Sequence, residues 1–404
     1  MDHVLVRVLE PGSVTWPDGD EGNPFVRYRS LFHAQHLALA GGLGDGEYRA
    51  LVDELNDAVA RVDGRGFCTT PFARADELSA RLGFAPDGGV WVKDETRNVS
   101  GSHKARHMMG VALHLAVVDR LGLDPQPAAR RLAIASCGNA ALAAAVVARA
   151  AGRPLDVFVP VDASPSILAR LKDLGASVTT CPREAGVAGD PTYHRLKQAI
   201  AAGSLPFTCQ GNENGLVVEG GETLGWEIVS SGIRIDRMVV QVGGGALASS
   251  LVQSMQDAAL LGAVTKSPRI DTVQTEAAYP LKRAHDRVAE RVQKGEPLDE
   301  SLRFAATHRS QFMWPWETEP HSVAHGILDD ETYDWFAVVS GMLRTGGVPV
   351  VVDEARLEEA NALAQKTTGI DVDHTGSSGL AGLMSMTDVD PHEHVAVLFT
   401  GVRR

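Results

Sequence analysis

The sequence predicts an α/β fold built as two three-layer domains with mostly parallel sheets. Short apolar runs alternate with longer runs of helical period from Val90 to the C-terminus, and that alternation implies parallel strands joined by right-handed crossovers. The runs fall into two successive series that meet near residue 210. A length of 404 residues, as a prior, gives two or three domains.

Residues 1 to 65 read as an N-terminal extension packed on the main body. They offer a short strand at Val4–Val8, a Gly/Pro/Asp-rich stretch and a helical pattern from Asp45 through Val62. Thr70-Pro71 leads into a helical pattern over Ala75 to Leu82, then an extended run, Val90 to Glu95. Met108, Val111, Leu113, Leu115, Val118 and Leu121 mark the next helix. Strand Leu132–Ala135, an alanine-rich helix Asn139–Ala151 and strand Leu155–Val159 follow. Ser164-Pro165 supplies an N-cap and a first-turn proline for a helix running to Gly175. Strand Ser177–Cys181, helix Tyr193–Ala202 and strand Pro206–Thr208 end the first series. The second series has a helix over 215–231, strand Met238–Val242, a helix from Ala246 and strand Ile270–Thr275. Residues 280–345 are less regular and contain Trp314-Pro315-Trp316. Strand Val348–Val352, helices Glu354–Thr368 and Ser378–Ser385 and strand Val395–Phe399 complete the chain. The expected division is a large domain of 66–104 and 211–404, with a small α/β domain of 105–210 inserted.

A net charge of −13 argues against nucleic-acid and anionic-membrane partners, which want a basic face. Apolar runs are broken well before the ~18 residues a membrane span needs. Met1-Asp2-His3-Val4 shows no basic region leading into an apolar core, so no signal peptide is expected. Cys68, Cys137, Cys181 and Cys209 are scattered with no CxxC pair, which reads as neither a metal site nor a disulfide framework. A reduced, cytoplasmic setting is expected.

Four stretches carry chemistry. Ser100-Gly101-Ser102-His103-Lys104 links a strand to a helix and puts a lysine in the first helical turn. A cation is disfavoured there, where free N–H groups and the helix dipole welcome an anion. Lys104 therefore has two readings, a solvent-facing side chain or a neutral amine that forms a Schiff base with an aldehyde. Gly243-Gly244-Gly245-Ala246-Leu247 lets backbone approach a ligand closely ahead of a helix N-terminus. It has neither a dinucleotide nor a P-loop pattern, so a phosphate monoester suits it better. A ligand-free turn is the alternative. Ser136-Cys137-Gly138-Asn139 offers a hydroxyl, an amide and N–H groups to a carboxylate, or merely caps a helix with Asn139. Thr400 ends the last strand, where open α/β sheets bind ligands, or is an ordinary strand-end hydroxyl. Asp373 to Gly379 is a small-residue helix start; His374 there reads as a surface or capping residue.

The order of these stretches resembles the tryptophan-synthase β-subunit-like, fold type II family of pyridoxal-phosphate enzymes. Threonine synthases, serine/threonine dehydratases, cysteine synthases and diaminopropionate ammonia-lyases belong to it. The resemblance covers roughly residues 65–404. Glu95 to Lys104 looks like the family's Schiff-base segment, and Thr272 to Leu281 looks most like threonine synthase. The resemblance implies that 66–104 with 211–404 is the domain that binds pyridoxal 5'-phosphate. Lys104 would carry the cofactor, Gly243, Gly244, Gly245, Ala246 and Leu247 would cradle its phosphate, and Asn139 would bond its phenolic oxygen. Thr400 would face the pyridine nitrogen, a place that some branches give to the earlier small-residue turn, here Thr375 to Ser378. Ser100, Ser102, Ser136, Cys137, Gly138 and Asn139 would hold the substrate. A homodimer is implied as well.

The implied chemistry is that of a lyase. The freed Lys104 amine would lie near Cα as general base, and the cofactor ring would take up the carbanion's charge. A hydroxyl at the pyridine nitrogen makes a weaker electron sink than a carboxylate would. A β-leaving group is then expelled, so β-elimination on a β-substituted L-amino acid is expected. The alternatives are a β-replacement synthase, threonine-synthase-like γ-chemistry and, from another class, a catalytically silent amino-acid-binding module. A nucleotide-dependent oxidoreductase would need a dinucleotide signature that the sequence lacks. Arg309, Trp314, Trp316 and His325 line the substrate pocket or form a packing cluster.

Overall fold

The computed structural model describes residues 9–125, 130–183, 187 and 189–404; the strand expected at Val4–Val8 lies outside them. The elements run in this order: α1 (Pro24–Arg27), α2 (His33–Ala40), α3 (Asp45–Asp63), β1 (Phe72–Arg74), α4 (Asp76–Arg81) and β2 (Gly89–Asp94). Next come α5 (Lys104–Arg120), β3 (Leu132–Ala135), α6 (Asn139–Ala150), β4 (Leu155–Val159), α7 (Pro165–Asp173) and β5 (Ser177–Thr180). They continue with α8 (Pro191–Ala201), β6 (Leu205–Pro206), α9 (Leu216–Ser230), β7 (Arg237–Gln241), α10 (Ala246–Leu260) and β8 (Arg269–Thr275). The chain closes with α11 (Pro280–Gln293), α12 (Leu298–Thr307), α13 (Trp335–Thr345), β9 (Pro349–Val352), α14 (Glu354–Thr368), α15 (His374–Ser385) and β10 (His394–Phe399).

Two compact units are formed, one of Leu9–Thr69 with Asn98–Leu224, the other holding Thr70–Arg97 and Gly225–Arg404. Residues 9–65, part of the stretch of 1–65 read from the sequence as an extension, group with Asn98–Leu224.

In the unit containing Asn98–Leu224, four parallel strands lie in the order β5-β4-β3-β6. Leu132, Ala133 and Ile134 of β3 are all buried, as a strand covered on both faces requires. Alanine dominates α6, and Ala141, Ala143, Ala144 and Val147 are almost fully buried. Small side chains let that helix lie close to its neighbours.

In the other unit six strands lie in the order β1-β2-β10-β7-β8-β9, with β1 antiparallel and the rest parallel. Helices α14 and α15 cover one face through Leu357, Ala360, Ala364, Leu380 and Leu383, against Val239, Val273, Val395 and Val397. Two glycines set how closely α15 approaches. A Cβ on Gly379 would lie 2.8 Å from the Val239 carbonyl oxygen, and one on Gly382 would lie 2.2 Å from Val273 Cγ2. At the opposite end of the strands from the motifs, Arg237 is buried and donates to Asp271 Oδ2 at 2.8 Å and Glu393 Oε2 at 2.7 Å. The same buried Asp271 carboxylate also accepts from Arg269 Nε at 3.1 Å and Val348 N at 2.8 Å, so two arginines share it.

Two expectations need correction. Residues 280–345 contain three α-helices, α11, α12 and α13. Helix α15 begins at His374, four residues before the expected Ser378, because Asp373 caps it by accepting from Gly376 N at 2.5 Å. Thr375 to Ser378 are therefore its first turn.

Candidate active site

The stretch before Lys104 has an unusual backbone. Asn98 accepts from Val99 N at 2.7 Å and starts a single 3₁₀ turn, Val99–Gly101. Within it Ser100 has φ 54°, the one positive φ of a non-glycine residue among those described. Such a conformation costs energy and persists where the surroundings impose it. Here the Ser100 N–H donates to Asp63 Oδ2 at 2.9 Å. Ser102 is extended and fully buried, and its hydroxyl has no hydrogen-bond partner among the described residues. Lys104 then opens α5 as its first residue, with no acidic side chain in that turn. It is partly exposed and makes no hydrogen bond or ion pair with a described residue.

Helix α5 is held by α9. A Cβ on Gly110 would lie 2.7 Å from Gly220 Cα, and one on Gly220 would lie 2.3 Å from the Arg106 carbonyl oxygen. Arg106 Nη1 also donates to Thr223 Oγ1 at 3.0 Å. One turn inside the helix, His107 is fully buried and lies 2.7 Å from the Val217 carbonyl oxygen through Nδ1. That geometry makes Nδ1 the donor. Burial, and secondarily the Lys104 charge, lowers the ring's pKa to about 3.

The Val99–Gly101 turn and α5 both pack on α6. Ser136 N extends the β3–β4 ladder by donating to Phe158 O at 3.1 Å. The next four residues are half-buried. Gly138 occupies the N-cap position of α6 and Asn139 is the first helical residue, so Asn139 does not cap the helix. The helix start has no side-chain cap and no acidic side chain. It therefore presents N–H groups to an anion. Thus Lys104, Ser100, Ser102 and the Ser136–Asn139 turn come together around α5 and α6.

The other motifs lie in the other unit. Strand β7 ends at Gln241, and Gly243–Gly245 leads into α10. Gly245, at φ 98°, is the N-cap of this fifteen-residue helix, which has no side-chain cap. Ala246 and Leu247 form its first turn. The segment after Ala324 lies on the loop. Thr332 Oγ1 donates to the Gly243 carbonyl at 2.9 Å, and Asp334 N donates to the Gly244 carbonyl at 3.0 Å. The Asp329 carboxylate lies over Gly243, where a Cβ would be 2.2 Å from Oδ2.

On the adjacent strand, Thr400 follows β10 and is buried. Gln241 Nε2 donates to Thr400 Oγ1 at 2.9 Å and to the Gly376 carbonyl at 2.8 Å. The Gln241 Oε1 atom is buried without a partner among the described residues. Ser378 Oγ donates to the His374 carbonyl at 2.7 Å, and Ser377 Oγ to the Asp373 carbonyl at 3.0 Å. Those two hydroxyl protons are spent on their own helix. Gln241 and Asp329 were missed by sequence reasoning. A polar residue in Val239-Val240-Gln241-Val242 was a usable signal; Asp329 had none.

Taken unit by unit, one set of residues fits an aldehyde and the other fits a phosphate monoester. Lys104 is an amine without a hydrogen-bond or ion-pair partner among the described residues, two positions after the buried Ser102 hydroxyl. The glycine loop precedes a helix with no side-chain cap, whose first N–H groups suit an anion. Thr400 is a neutral hydroxyl fixed at a strand end.

Comparison with known proteins bears on this set. A family model described as pyridoxal-phosphate dependent enzyme matches residues 65–401. No curated protein sequence matches the chain. Among solved structures, maize serine racemase is 18% identical with a TM-score of 0.62, covering 87% of this chain and 93% of that one. Threonine deaminase from tomato, Solanum lycopersicum (the processed form of isoform 2), is 16% identical with a TM-score of 0.62, covering 90% and 86%. A fungal L-serine ammonia-lyase from Rhizomucor miehei is 18% identical with a TM-score of 0.59, covering 83% and 94%. These likenesses show a shared fold.

Proposed function

The chain belongs to the family of pyridoxal-phosphate dependent enzymes of fold type II, and from that premise we propose that it is a lyase acting by β-elimination on a β-substituted L-amino acid. The bound cofactor supplies an electron sink for charge developing at the substrate Cα. Lys104 would hold the cofactor, and its amine would serve as the base for the substrate Cα proton. Gly243 to Leu247 would hold the cofactor's phosphate through backbone N–H groups, and Asn139 would bond its phenolic oxygen. Ser136 and the N–H groups of the Cys137–Asn139 turn would hold the substrate carboxylate, with Ser100 and Ser102 as further substrate-binding residues. That grip would orient the substrate Cα–H bond toward the Lys104 amine.

The observation that carries the reading is the bond from Gln241 Nε2 to Thr400 Oγ1 at 2.9 Å. The Gln241 amide thereby fixes the Thr400 oxygen, part of a neutral hydroxyl, at the end of β10. A neutral hydroxyl at the pyridine nitrogen does not keep that nitrogen protonated as a carboxylate would. The sink is then modest, and loss of the β-substituent is the easiest exit. The commitment of the Ser377 and Ser378 hydroxyls to α15 supports Thr400 over that turn. Threonine deaminase and L-serine ammonia-lyase among the structural neighbours agree with this direction. The same reading takes the enzyme as a cytoplasmic homodimer, supported by four free thiols and the family resemblance. A net charge of −13 speaks against a nucleic-acid partner.

The test is a product assay of the cofactor-loaded protein with L-serine, L-threonine and L-2,3-diaminopropionate. One ammonia per 2-oxo acid is expected from L-serine or L-threonine, or two per 2-oxo acid from L-2,3-diaminopropionate, whose β-amino group leaves as well. Appearance of the D-amino acid without ammonia would replace the reading with racemisation. A new amino acid formed only with an added nucleophile would replace it with β-replacement. Turnover restricted to γ-substituted or phosphorylated substrates would replace it with γ-chemistry.

A further inference from the structure

The glycine loop carries an anion of the chain's own. Asp329 belongs to an irregular segment whose far end is pinned to the loop by Thr332 Oγ1 and Asp334 N. A Cβ added to Gly243 would meet Asp329 Oδ2 at 2.2 Å, and one added to Gly244 would meet Oδ1 at 3.7 Å. The carboxylate thus straddles the first two glycines with both oxygens turned to the loop. Tyr333 closes the side of Gly244, its ring 3.0 Å from the same added Cβ. This is the start of an uncapped helix, where negative charge is favoured.

We infer that Asp329 sets the affinity of the glycine loop for phosphate, as an internal anion that a phosphorylated ligand must work against. The inference rests on the reading of Gly243 to Leu247 as the cofactor's phosphate cradle. A phosphate monoester arriving at the loop brings about two negative charges into the neighbourhood of a third. Two like charges a few ångströms apart near a protein surface repel by several times the thermal energy. Either the Asp329 side chain swings off the glycines, or binding proceeds against its field. In both cases Asp329 weakens binding of the phosphorylated form and leaves the unphosphorylated form untouched. Asp329 thereby lowers the loop's preference for a phosphate-bearing ligand over its dephosphorylated counterpart. Its two neighbours on the loop act differently. Thr332 and Asp334 bond the carbonyls of Gly243 and Gly244 and hold the loop's shape.

The test uses the full-length protein freed of cofactor, titrated calorimetrically with pyridoxamine 5'-phosphate and in parallel with pyridoxamine. Neither ligand has an aldehyde, so bond formation at Lys104 does not contribute. Asp329→Asn should bind the phosphorylated ligand about tenfold more tightly than the parent, with pyridoxamine affinity within about twofold. Asp329→Ser gives the same comparison should the amide perturb folding. Unchanged or weaker phosphate-ligand binding in both variants would overturn the inference and make Asp329 a support of the loop. An equal gain for both ligands would also overturn it, since the effect would not belong to the phosphate. If the parent and both variants bind neither ligand, the cofactor reading falls, and this inference with it.

Discussion

Lys104 and His107 lie three residues apart on α5 and so share a face of the helix. Burial keeps His107 neutral, and the neighbouring charge reinforces that, with a pKa of about 3 against an ordinary 6.5. The consequence for stability has a definite sign. Between those two values the unfolded chain binds a proton at this position and the folded one does not, so stability falls as pH falls. His107 alone contributes a loss of about 1.4 kcal/mol per pH unit across that window. His107→Asn, which keeps a donor toward Val217, should give a shallower acid limb by one proton in denaturation curves between pH 6 and about 4. An unchanged limb would mean that His107 is solvated or protonated in the native state. The residue scale is also where sequence legibility divides. Lys104 and the three glycines could be read because their signals are local, a turn between a strand and a helix. Gln241 acts on Thr400 from 159 residues away, and Asp329 meets Gly243 from a distant part of the chain. Neither pairing leaves a mark in residue spacing.

The crossing of α5 and α9 is what fixes the helix that Lys104 begins. Gly220 lies inside α9, where alanine would ordinarily stabilise a helix by about 1 kcal/mol. Here the added Cβ would lie 2.3 Å from the Arg106 carbonyl oxygen, a backbone atom that cannot move alone. Gly220→Ala should therefore destabilise the protein by about 1–3 kcal/mol, measured as a lower denaturation midpoint. A gain in stability would show that the two helices separate without penalty. Other elements follow their sequence patterns closely. Strands β3 and β4 and helix α14 have the bounds that their apolar runs suggest, because a buried strand and a well-capped helix each have one dominant solution. Helices α11 and α12 were not anticipated. On α11, Arg283 and Arg287 stack over Trp314, and Arg291 stacks over Phe304. The Trp/Pro cluster that read as irregular is the cover of a regular, polar-faced helix. Pro280 at its first turn and the buried Leu281, Ala284 and Val288 were the signals available.

At the scale of the whole molecule, the alternation of strand and helix anticipated two mainly parallel sheets, because parallel pairing demands a crossover between partners. Membership of Leu9–Thr69 in the unit with Asn98–Leu224 was not legible, since it depends on packing between segments distant along the chain. The strand ends that carry Gln241 and Thr400 are adjacent, because β7 and β10 pair in parallel at the centre of their sheet. The account as a whole stands on Lys104 as the residue that holds the cofactor. The direct measurement is borohydride reduction of the cofactor-loaded protein, followed by digestion and mass spectrometry of the pyridoxyl-labelled peptide. The label should fall on Lys104 in the peptide that follows the left-handed Ser100 turn, and Lys104→Ala should abolish it. A label on Lys93 or on any other lysine would contradict the account.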